Sequence, residues 1–161
     1  MENPLRRPEE ILAFRSLRQI LASKPGVLWC VAPVDSVLTA LQLMTDKDIG
    51  LVAVMEGRTL AGVLSERDCA RQVLLPKKNA ELTRVADIMV RNVVTIDINR
   101  TFADCLRLMH QHSIRHLPVV DNGNVTTVVS IRDLLSEAVI HHAKIIEELE
   151  RERLTIFTST A

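Results

Sequence analysis

Residues 31–70 read VAPVDSVLTALQLMTDKDIGLVAVMEGRTLAGVLSERDCA, and a related stretch begins 65 residues later, at residues 96–135. The second stretch reads IDINRTFADCLRLMHQHSIRHLPVVDNGNVTTVVSIRDLL and aligns with the first without a gap. Identical residues occupy the pairs Leu41/Leu106, Leu43/Leu108, Met44/Met109, Ile49/Ile114, Val54/Val119, Val63/Val128, Ser65/Ser130, Arg67/Arg132 and Asp68/Asp133. Such a repeat predicts two similar units packed about a pseudo-two-fold axis, with two matching clefts.

The hydrophobic pattern predicts the order β-α-β-β-α in the first copy. The predicted strands are 27–31, 51–55 and 60–64, separated by a turn at 56–58. A helix opened by Asp35-Ser36, with Val37, Leu41 and Met44 on one face, ends at Gly50. Another helix runs from Ser65 to Leu75 and is stopped by Pro76.

The second copy repeats this order. Its predicted strands are 93–96, 117–120 and 125–129, with a turn at 121–123. A helix at 101–111 is expected to turn Phe102, Leu106 and Met109 inward, and a long helix runs from Ile131 to about Arg153. The apolar residues of that helix continue past the repeat at Leu135, Val139, Ile145, Ile146 and Leu149.

The regions outside the two copies complete an α/β chain with an extra N-terminal helix and a long C-terminal one. Ile11, Phe14, Leu17 and Leu21 predict an amphipathic helix over 9–22, ended by the breakers at 23–26. We divide the chain into an N-terminal helix (1–26), repeat 1 (27–75), a linker (76–92, with a short helix at 83–89), repeat 2 (93–140) and an extension with a loose tail (141–161).

Composition excludes several classes of protein. The 161 residues carry 20 basic and 20 acidic side chains, which is unlike the net basic charge of a nucleic-acid binder. The four aromatic residues, Phe14, Trp29, Phe102 and Phe157, are too few to stack single-stranded nucleic acid. No apolar run approaches the roughly 18 residues of a membrane span, and the charged N-terminus lacks a signal region. The three cysteines form no CxxC pair, so we expect reduced thiols in a cytoplasmic protein without membrane contact.

The polar clusters Ser65-Glu-Arg-Asp68 and Ser130-Ile-Arg-Asp133 lie where a strand passes into a helix. A serine followed three residues later by an acid is a capping-box pattern, which alone explains either copy. The alternative is a binding role. An aspartate at a helix start repels phosphate, but its two acceptor oxygens suit the vicinal diol of a ribose. Arg67, Arg132 and the Arg115-His116 pair are candidates for phosphate, since the guanidinium fork fits phosphate oxygens.

Neither a metal site nor a catalytic site is indicated. His110, His112 and His116 have no cysteine or carboxylate at zinc-ligand spacing. Ser65 is preceded by no nucleophile-elbow glycine pattern, and no glycine-rich phosphate loop occurs. We therefore predict a protein that is not an enzyme and holds no metal or catalytic cofactor.

The pattern Ile-x-x-Leu-Pro-Val-Val-Asp at 114–121, followed by a second strand and Ser-x-x-Asp, resembles the cystathionine-β-synthase (CBS) domain. Asp48-Ile-Gly-Leu-Val52 and Gly62-Val-Leu-Ser-Glu-Arg-Asp68 carry the same resemblance in the first copy. Over residues 27–140 the chain therefore resembles the tandem CBS pair, or Bateman module, of the stand-alone bacterial type. The resemblance implies two clefts that take adenosine ligands (AMP, ADP, ATP, NAD or S-adenosylmethionine, with AMP favoured) and a homodimeric disc.

The resemblance also implies a set of nucleotide-binding residues. Asp68 and Asp133 match the ribose-binding acid, Ser65 and Ser130 its hydroxyl partner, and Thr95 a hydroxyl that contacts the ligand. The full set is Ile49, Gly50, Leu51, Ser65, Arg67, Asp68, Thr95, Ile114, Arg115, His116, Pro118, Ser130, Arg132 and Asp133. The two copies differ at several aligned positions: Gly62 aligns with Thr127, Cys30 with Thr95, and Val52-Ala53 with Leu117-Pro118. We therefore expect two unequal clefts.

Two functions follow as hypotheses. The first is a regulatory module that binds an adenine nucleotide and transmits the ligand state through dimer or helix rearrangement, with the flanking helices as the output surfaces. The second is a dimeric interaction protein whose clefts stay empty and whose flanking helices regulate a partner enzyme; its Ser-x-x-Asp clusters would be helix caps only.

Overall fold

A computed structural model describes residues 14–24 and 26–159, with side chains up to residue 154. The described chain forms two three-stranded sheets, one from each copy, and thereby confirms the predicted α/β architecture of two β-α-β-β-α repeats. The elements of the first half are α1 (Leu17–Leu21), β1 (Cys30–Val31), α2 (Val37–Lys47), β2 (Leu51–Glu56), β3 (Thr59–Ser65) and α3 (Glu66–Cys69), which continues as a π-helical turn (Ala70–Leu74).

The second half begins with a linker helix and ends with the longest helix of the described chain. Its elements are α4 (Val85–Ile88), β4 (Ile96–Asp97), α5 (Phe102–Gln111), β5 (His116–Asp121), β6 (Asn124–Ser130) and α6 (Ile131–Ser159). The long C-terminal helix that the apolar pattern predicted is therefore present, and it runs six residues beyond the predicted end.

The two sheets share one topology and one register. In each, the short first strand pairs in parallel with the second, and the second pairs antiparallel with the third. An irregularity of register falls at Val54/Met55 in one sheet and at Val119/Val120 in the other, which are 65 residues apart. The duplication seen in the sequence is thus a duplication of backbone geometry.

Each repeat completes its core with the helix that precedes the other repeat. Leu17, Ile20 and Leu21 of α1 pack in the core of repeat 2. Val85 and Ile88 of the linker helix α4 pack in the core of repeat 1. Neither half can bury its apolar face alone, so the two repeats form one folding unit.

Of the helix predicted over 9–22, residues 9–13 lie outside the described residues, residues 14–16 are not helical, and the described helix is Leu17–Leu21. It begins at Leu17, because Ser16 caps it: the Ser16 side chain accepts from the N–H of Gln19, and the Gln19 side chain accepts from the N–H of Ser16 at 2.9 Å. Phe14 precedes the helix and stacks on Phe102 with ring centroids 4.1 Å apart. Ile11, the first residue of the predicted face, lies outside the described residues.

Other local predictions are wrong. The first strand of each repeat is only two residues long, Cys30–Val31 instead of 27–31 and Ile96–Asp97 instead of 93–96. Leu106 is exposed rather than inward, because the buried face of α5 is centred on Cys105 and joins it to Phe102 and Met109. Helix α2 ends at Lys47 rather than at Gly50, because Asp48 adopts a left-handed conformation (φ 50°) that stops the helix.

Helix α6 faces the core only along part of its surface. Leu134 and Glu137 are buried, whereas Leu135, Val139, Ile146 and Leu149 are exposed. Leu74 and Leu75, which align with Val139 and Ile140 in the repeat, are also exposed. In the described residues no helix is both long enough and apolar enough to cross a membrane.

Candidate functional site

A cleft of about 670 Å³ opens between the two repeats. It takes side chains from the end of α2, the start of β2, the start of β5, and the junction of β6 with α6. The lining residues are Lys24, Val27, Trp29, Met44, Thr45, Lys47, Asp48, Ile49, Gly50, Leu51, Glu66, Arg115, His116, Thr127, Val128, Ser130, Ile131, Arg132 and Asp133. Its size and its mixture of apolar and charged walls suit a small organic ligand.

Asp133 lies at the cleft in a capping box whose bonds all use one oxygen. Its Oδ2 accepts from the N–H and the hydroxyl of Ser130, both at 2.7 Å, and from Lys24 Nζ at 2.5 Å. The N–H of Asp133 donates back to the Ser130 hydroxyl at 3.3 Å. Among the described residues nothing bonds to Oδ1, so one carboxylate oxygen stays available while the helix remains capped.

The electrostatics of the cleft keep Asp133 ionised and His116 neutral. Burial by itself raises the pKa of Asp133. Hydrogen bonds from Lys24 and Ser130 together lower the pKa by more than burial raises it, so the pKa is below the ordinary aspartate value. Burial is the main cause that lowers the pKa of His116, and the positive charge of the neighbouring Arg115 lowers this pKa further. Near neutral pH the cleft therefore offers an anionic acceptor and a neutral imidazole.

Cations around the cleft exceed the acids by one, with Lys24, Lys47, Arg115 and Arg132 against Asp48, Glu66 and Asp133. Lys24 is paired with Asp133, and Arg132 Nη1 lies 3.5 Å from Asp48 Oδ2. No carboxylate of the described chain lies within salt-bridge distance of Arg115. The same holds for Lys47, whose Nζ lies over the Trp29 ring, so Arg115 and Lys47 are the lining cations best placed to pair with an anionic ligand.

Asp68 has the same capping box in different surroundings. Its Oδ2 accepts from the N–H of Ser65 at 3.1 Å and from the Ser65 hydroxyl. No lysine or arginine in the described ranges forms an ion pair with it. At 65 residues after Lys24 the chain has Met89, which is buried and packs against Gly62.

The strand beside Asp68 is closed by the linker. Val63 and Val90 exchange backbone hydrogen bonds of 3.0 and 2.9 Å. A Cβ built on Gly62 would lie 2.8 Å from the carbonyl oxygen of Val90 and 3.0 Å from the sulfur of Met89. The glycine is required here because the linker backbone passes so close.

The structure brings together part of the predicted nucleotide-binding set. Ile49, Gly50, Leu51, Arg115, His116, Ser130, Arg132 and Asp133 all line the cleft. The residues outside its lining are Ser65, Arg67, Asp68, Thr95, Ile114 and Pro118. Pro118 is fully buried in β5, Ile114 packs against the core of repeat 2, and Thr95 is exposed just before β4.

Sequence reasoning missed several lining residues, chiefly Lys24, Trp29, Lys47 and Glu66. Lys24 lies in a run of helix breakers, and its partner Asp133 is 109 residues away, so no local spacing links them. Trp29 carried a usable signal, because it is the one tryptophan of the chain. A lone large aromatic beside a short strand is a reasonable candidate for a ligand contact.

The groups that line the cleft suit the binding of a small ligand. Within the described residues no three His, Cys, Asp or Glu side chains form a group that could hold a metal ion. The Ser130 hydroxyl donates to Asp133 Oδ2 at 2.7 Å as part of the cap of α6. What the cleft offers is a carboxylate oxygen, a set of cations and an apolar wall, which together can bind a ligand with a diol, an anion and a flat apolar part.

Comparison with known proteins agrees with this geometry. The CBS domain family model matches residues 18–75 and 85–140. The mitochondrial CBS domain-containing protein CBSX3 of Arabidopsis thaliana is 33% identical over 158 residues, which span 92% of this chain and 75% of that protein.

Solved structures share the fold. A protein with CBS domains from Burkholderia ambifaria is 36% identical, with a TM-score of 0.76 over 78% of this chain and 95% of its own. The CBS domain protein PAE2072 of Pyrobaculum aerophilum, solved in complex with AMP, is 21% identical, with a TM-score of 0.66 over 78% of this chain and 99% of its own. With both repeats matched by the family model, this chain belongs to the CBS domain family as a tandem CBS pair.

Proposed function

We propose that this protein is a regulatory module that binds an adenine nucleotide in the cleft at Asp133 and carries out no chemistry of its own. The observation that supports this most is the uncommitted Oδ1 of Asp133, held at the wall of a cleft that also contains Arg115. A carboxylate oxygen can accept from the two hydroxyls of a ribose, while an arginine can bind a phosphate. The AMP complex of the Pyrobaculum protein adds support for this ligand class.

The proposal assigns the ligand to one of the two pseudo-equivalent positions. Asp133 has a lined cleft and a nearby cation, whereas in the other copy Met89 and Val90 pack against Gly62 and Val63, in the strand that leads to Asp68. AMP, ADP, ATP, NAD and S-adenosylmethionine all carry the adenosine that this assignment requires. We propose AMP as the first ligand to test, because cations exceed acids by only one around the cleft and each further phosphate adds negative charge.

Ligand binding would act on the contact between the N-terminal segment and α6. Two ion pairs join them: Lys24 with Asp133, and Arg15 with the buried Glu137, to which Arg15 Nε donates at 3.0 and 2.9 Å. Asp133 and Glu137 are about one helical turn apart on α6. A ribose that donates to Oδ1 of Asp133 shares the charge of this carboxylate with Lys24. It therefore weakens one of these two attachments and shifts the position of α6 or α1.

The output surface is proposed to be a homodimer interface. Helix α6 exposes more apolar side chains than is usual for a helix face in contact with water. These residues are Leu135, Val139, Ile140, Ile146 and Leu149. Their pseudo-equivalents Leu74 and Leu75 offer a second apolar patch. A dimer, or a protein effector bound at the same face, would couple the ligand state to a partner.

The second candidate is a dimeric interaction protein whose cleft stays empty. The complete capping boxes favour it, because both aspartates already have a structural task. The Lys24–Asp133 ion pair also favours it, since the lysine already balances the charge of the carboxylate. The two candidates differ in one measurable property, which is binding of a nucleotide to the folded protein.

Thermal unfolding in the presence of AMP, ADP, ATP or NAD separates these candidates. A ligand that binds only the folded state raises the melting temperature, by an amount that grows with ligand concentration. We expect a rise with AMP at millimolar concentration and none with ribose or inorganic phosphate alone. An unchanged melting temperature with all four nucleotides would favour the empty-cleft interaction protein.

A further inference from the structure

Trp29 forms part of the apolar wall of the cleft, on a side that the polar clusters do not account for. Its side chain is half-buried and lines the cleft beside Met44, Ile49 and Leu51. Its carbonyl accepts from the N–H of Ala53 at 3.1 Å, so its backbone is fixed against β2. The ring is therefore held by the sheet and not by a mobile loop.

A lysine side chain lies over one face of this ring. Lys47 Nζ lies 4.5 Å from the ring centroid, at the exposed end of α2. The same electron-rich face that attracts an ammonium also stacks with a flat heterocycle. Because Lys47 is solvent-exposed, this cation–π contact is weak and a ligand can replace it.

We infer that Trp29 stacks with the base of the bound nucleotide and that Lys47, displaced from the ring, turns toward the phosphate. This inference rests on the proposed function and adds a specificity-determining residue to it. Stacking strength rises with the area of overlap, so the cleft should prefer purine nucleotides to pyrimidine nucleotides.

The repeat offers an internal comparison for this assignment. Extending the 65-residue offset places Val94 opposite Trp29 and His112 opposite Lys47. The second copy therefore has neither the indole ring nor the lysine. The stacking surface occurs once per chain, on the same cleft as the Lys24–Asp133 pair.

The test uses the intact chain and its single tryptophan as the reporter. Titration with AMP should quench and shift the Trp29 emission to saturation, and CMP should bind several-fold more weakly. Calorimetry then compares Trp29→Val, the residue of the second copy, with Trp29→Phe. We expect AMP affinity to fall about tenfold in Trp29→Val, because base–aromatic stacking is of that order, and to fall less in Trp29→Phe.

Two further variants complete the design. Val94→Ala alters the pseudo-equivalent position and should leave AMP affinity unchanged. Lys47→Met should keep the emission change but weaken AMP more than adenosine, because only AMP carries the phosphate. Melting temperatures of all variants without ligand show whether each is folded, and Trp29→Phe keeps an aromatic ring should Trp29→Val not fold.

The outcomes separate this inference from the proposed function. If AMP binds the wild type but the emission does not change, or Trp29→Val and Trp29→Phe bind AMP as the wild type does, the stacking role is wrong and the nucleotide-binding function stands. If purines and pyrimidines bind equally, the specificity claim is wrong. If no nucleotide binds the wild type by calorimetry, both proposals are wrong.

Discussion

The two Ser-x-Arg-Asp clusters have the same sequence pattern and the same cap but different surroundings. In both, the aspartate Oδ2 accepts from the N–H and the hydroxyl of the serine three residues earlier. In both, the residue after the serine donates its N–H to the carbonyl of the residue just before the neighbouring strand: Glu66 to Gly50 at 3.2 Å, and Ile131 to Arg115 at 2.8 Å. The capping interpretation is therefore correct for both copies, and it does not distinguish them.

What distinguishes the copies is supplied by segments outside the repeat. Lys24, from the segment after α1, pairs with Asp133 at a cleft. Met89, which lies 65 residues after Lys24 in the chain, is buried and packs against Gly62. A duplicated motif thus gives two identical caps, and the flanking chain decides which of them can also serve a ligand.

The largest effect is expected from exchanging residues between the copies at Gly62 and Thr127. Gly62→Thr places a side chain against the Val90 carbonyl oxygen, which is backbone and cannot move away cheaply. We expect a loss of about 2–3 kcal/mol in the free energy of unfolding, as for overpacked core positions. Urea unfolding measures it.

The reciprocal change, Thr127→Gly, is the matched control. It creates no clash: it removes a half-buried side chain and adds backbone entropy to the unfolded state, the latter at about 0.5–1 kcal/mol. Equal losses for the two changes would show that the linker does not pack more tightly against repeat 1 than the corresponding segment packs against repeat 2.

Affinity for AMP should depend on one aspartate of the pair. Asp133→Asn keeps an acceptor oxygen for the cap but loses the charge that favours two hydroxyl donors, so we expect AMP affinity to fall about tenfold, or about 1.4 kcal/mol. Asp68→Asn, the same change in the other copy, should alter it less than twofold. Isothermal titration calorimetry of both variants measures the difference. A larger loss in Asp68→Asn would move the site to the other copy.

The smallest predicted effect is a change in acid stability from Lys24→Met. The pKa of Asp133 in the folded protein lies below its ordinary value of 3.8, so its contribution to stability is complete above that pH and is lost as the pH falls through the folded pKa. Without Lys24, burial raises this pKa, and the loss begins at a higher pH. The difference should stay below about 1 kcal/mol, because the pair is partly exposed.

Urea midpoints between pH 3 and pH 7 measure this effect for the wild type, Lys24→Met, and Lys77→Met as an exposed control. Lys77→Met should follow the wild-type curve throughout. Parallel curves for the wild type and Lys24→Met would show that the ion pair does not control the titration of Asp133.

The sequence predicted the repeat, the sheets and the caps because these depend on local patterns. Apolar periodicity placed β2, β3, β5 and β6 within one or two residues, and Ser-x-x-Asp marked both helix starts. The errors lie where one interaction overrides the period: the cap at Ser16 starts α1 at Leu17, and Asp48 ends α2 early. Leu106 shows that spacing alone does not fix the exact centre of a buried face.

The cleft could be predicted only in part, because it depends on long-range packing. Its polar residues from the repeats were found through the duplication and the family resemblance. Lys24 and Trp29 were not, since the α1–β1 connection that carries them has no repeating pattern and reaches repeat 2 only in the folded chain. The packing of Met89 against Gly62 is likewise a tertiary contact that no spacing indicates.

The stoichiometry of AMP binding tests the central claim most directly. Calorimetric titration of the wild-type protein should give one site per chain, and the site should disappear with Asp133→Ala while Asp68→Ala retains it. Two equal sites per chain, or binding that survives Asp133→Ala, would contradict the assignment of a single nucleotide cleft to the second Ser-x-x-Asp cluster.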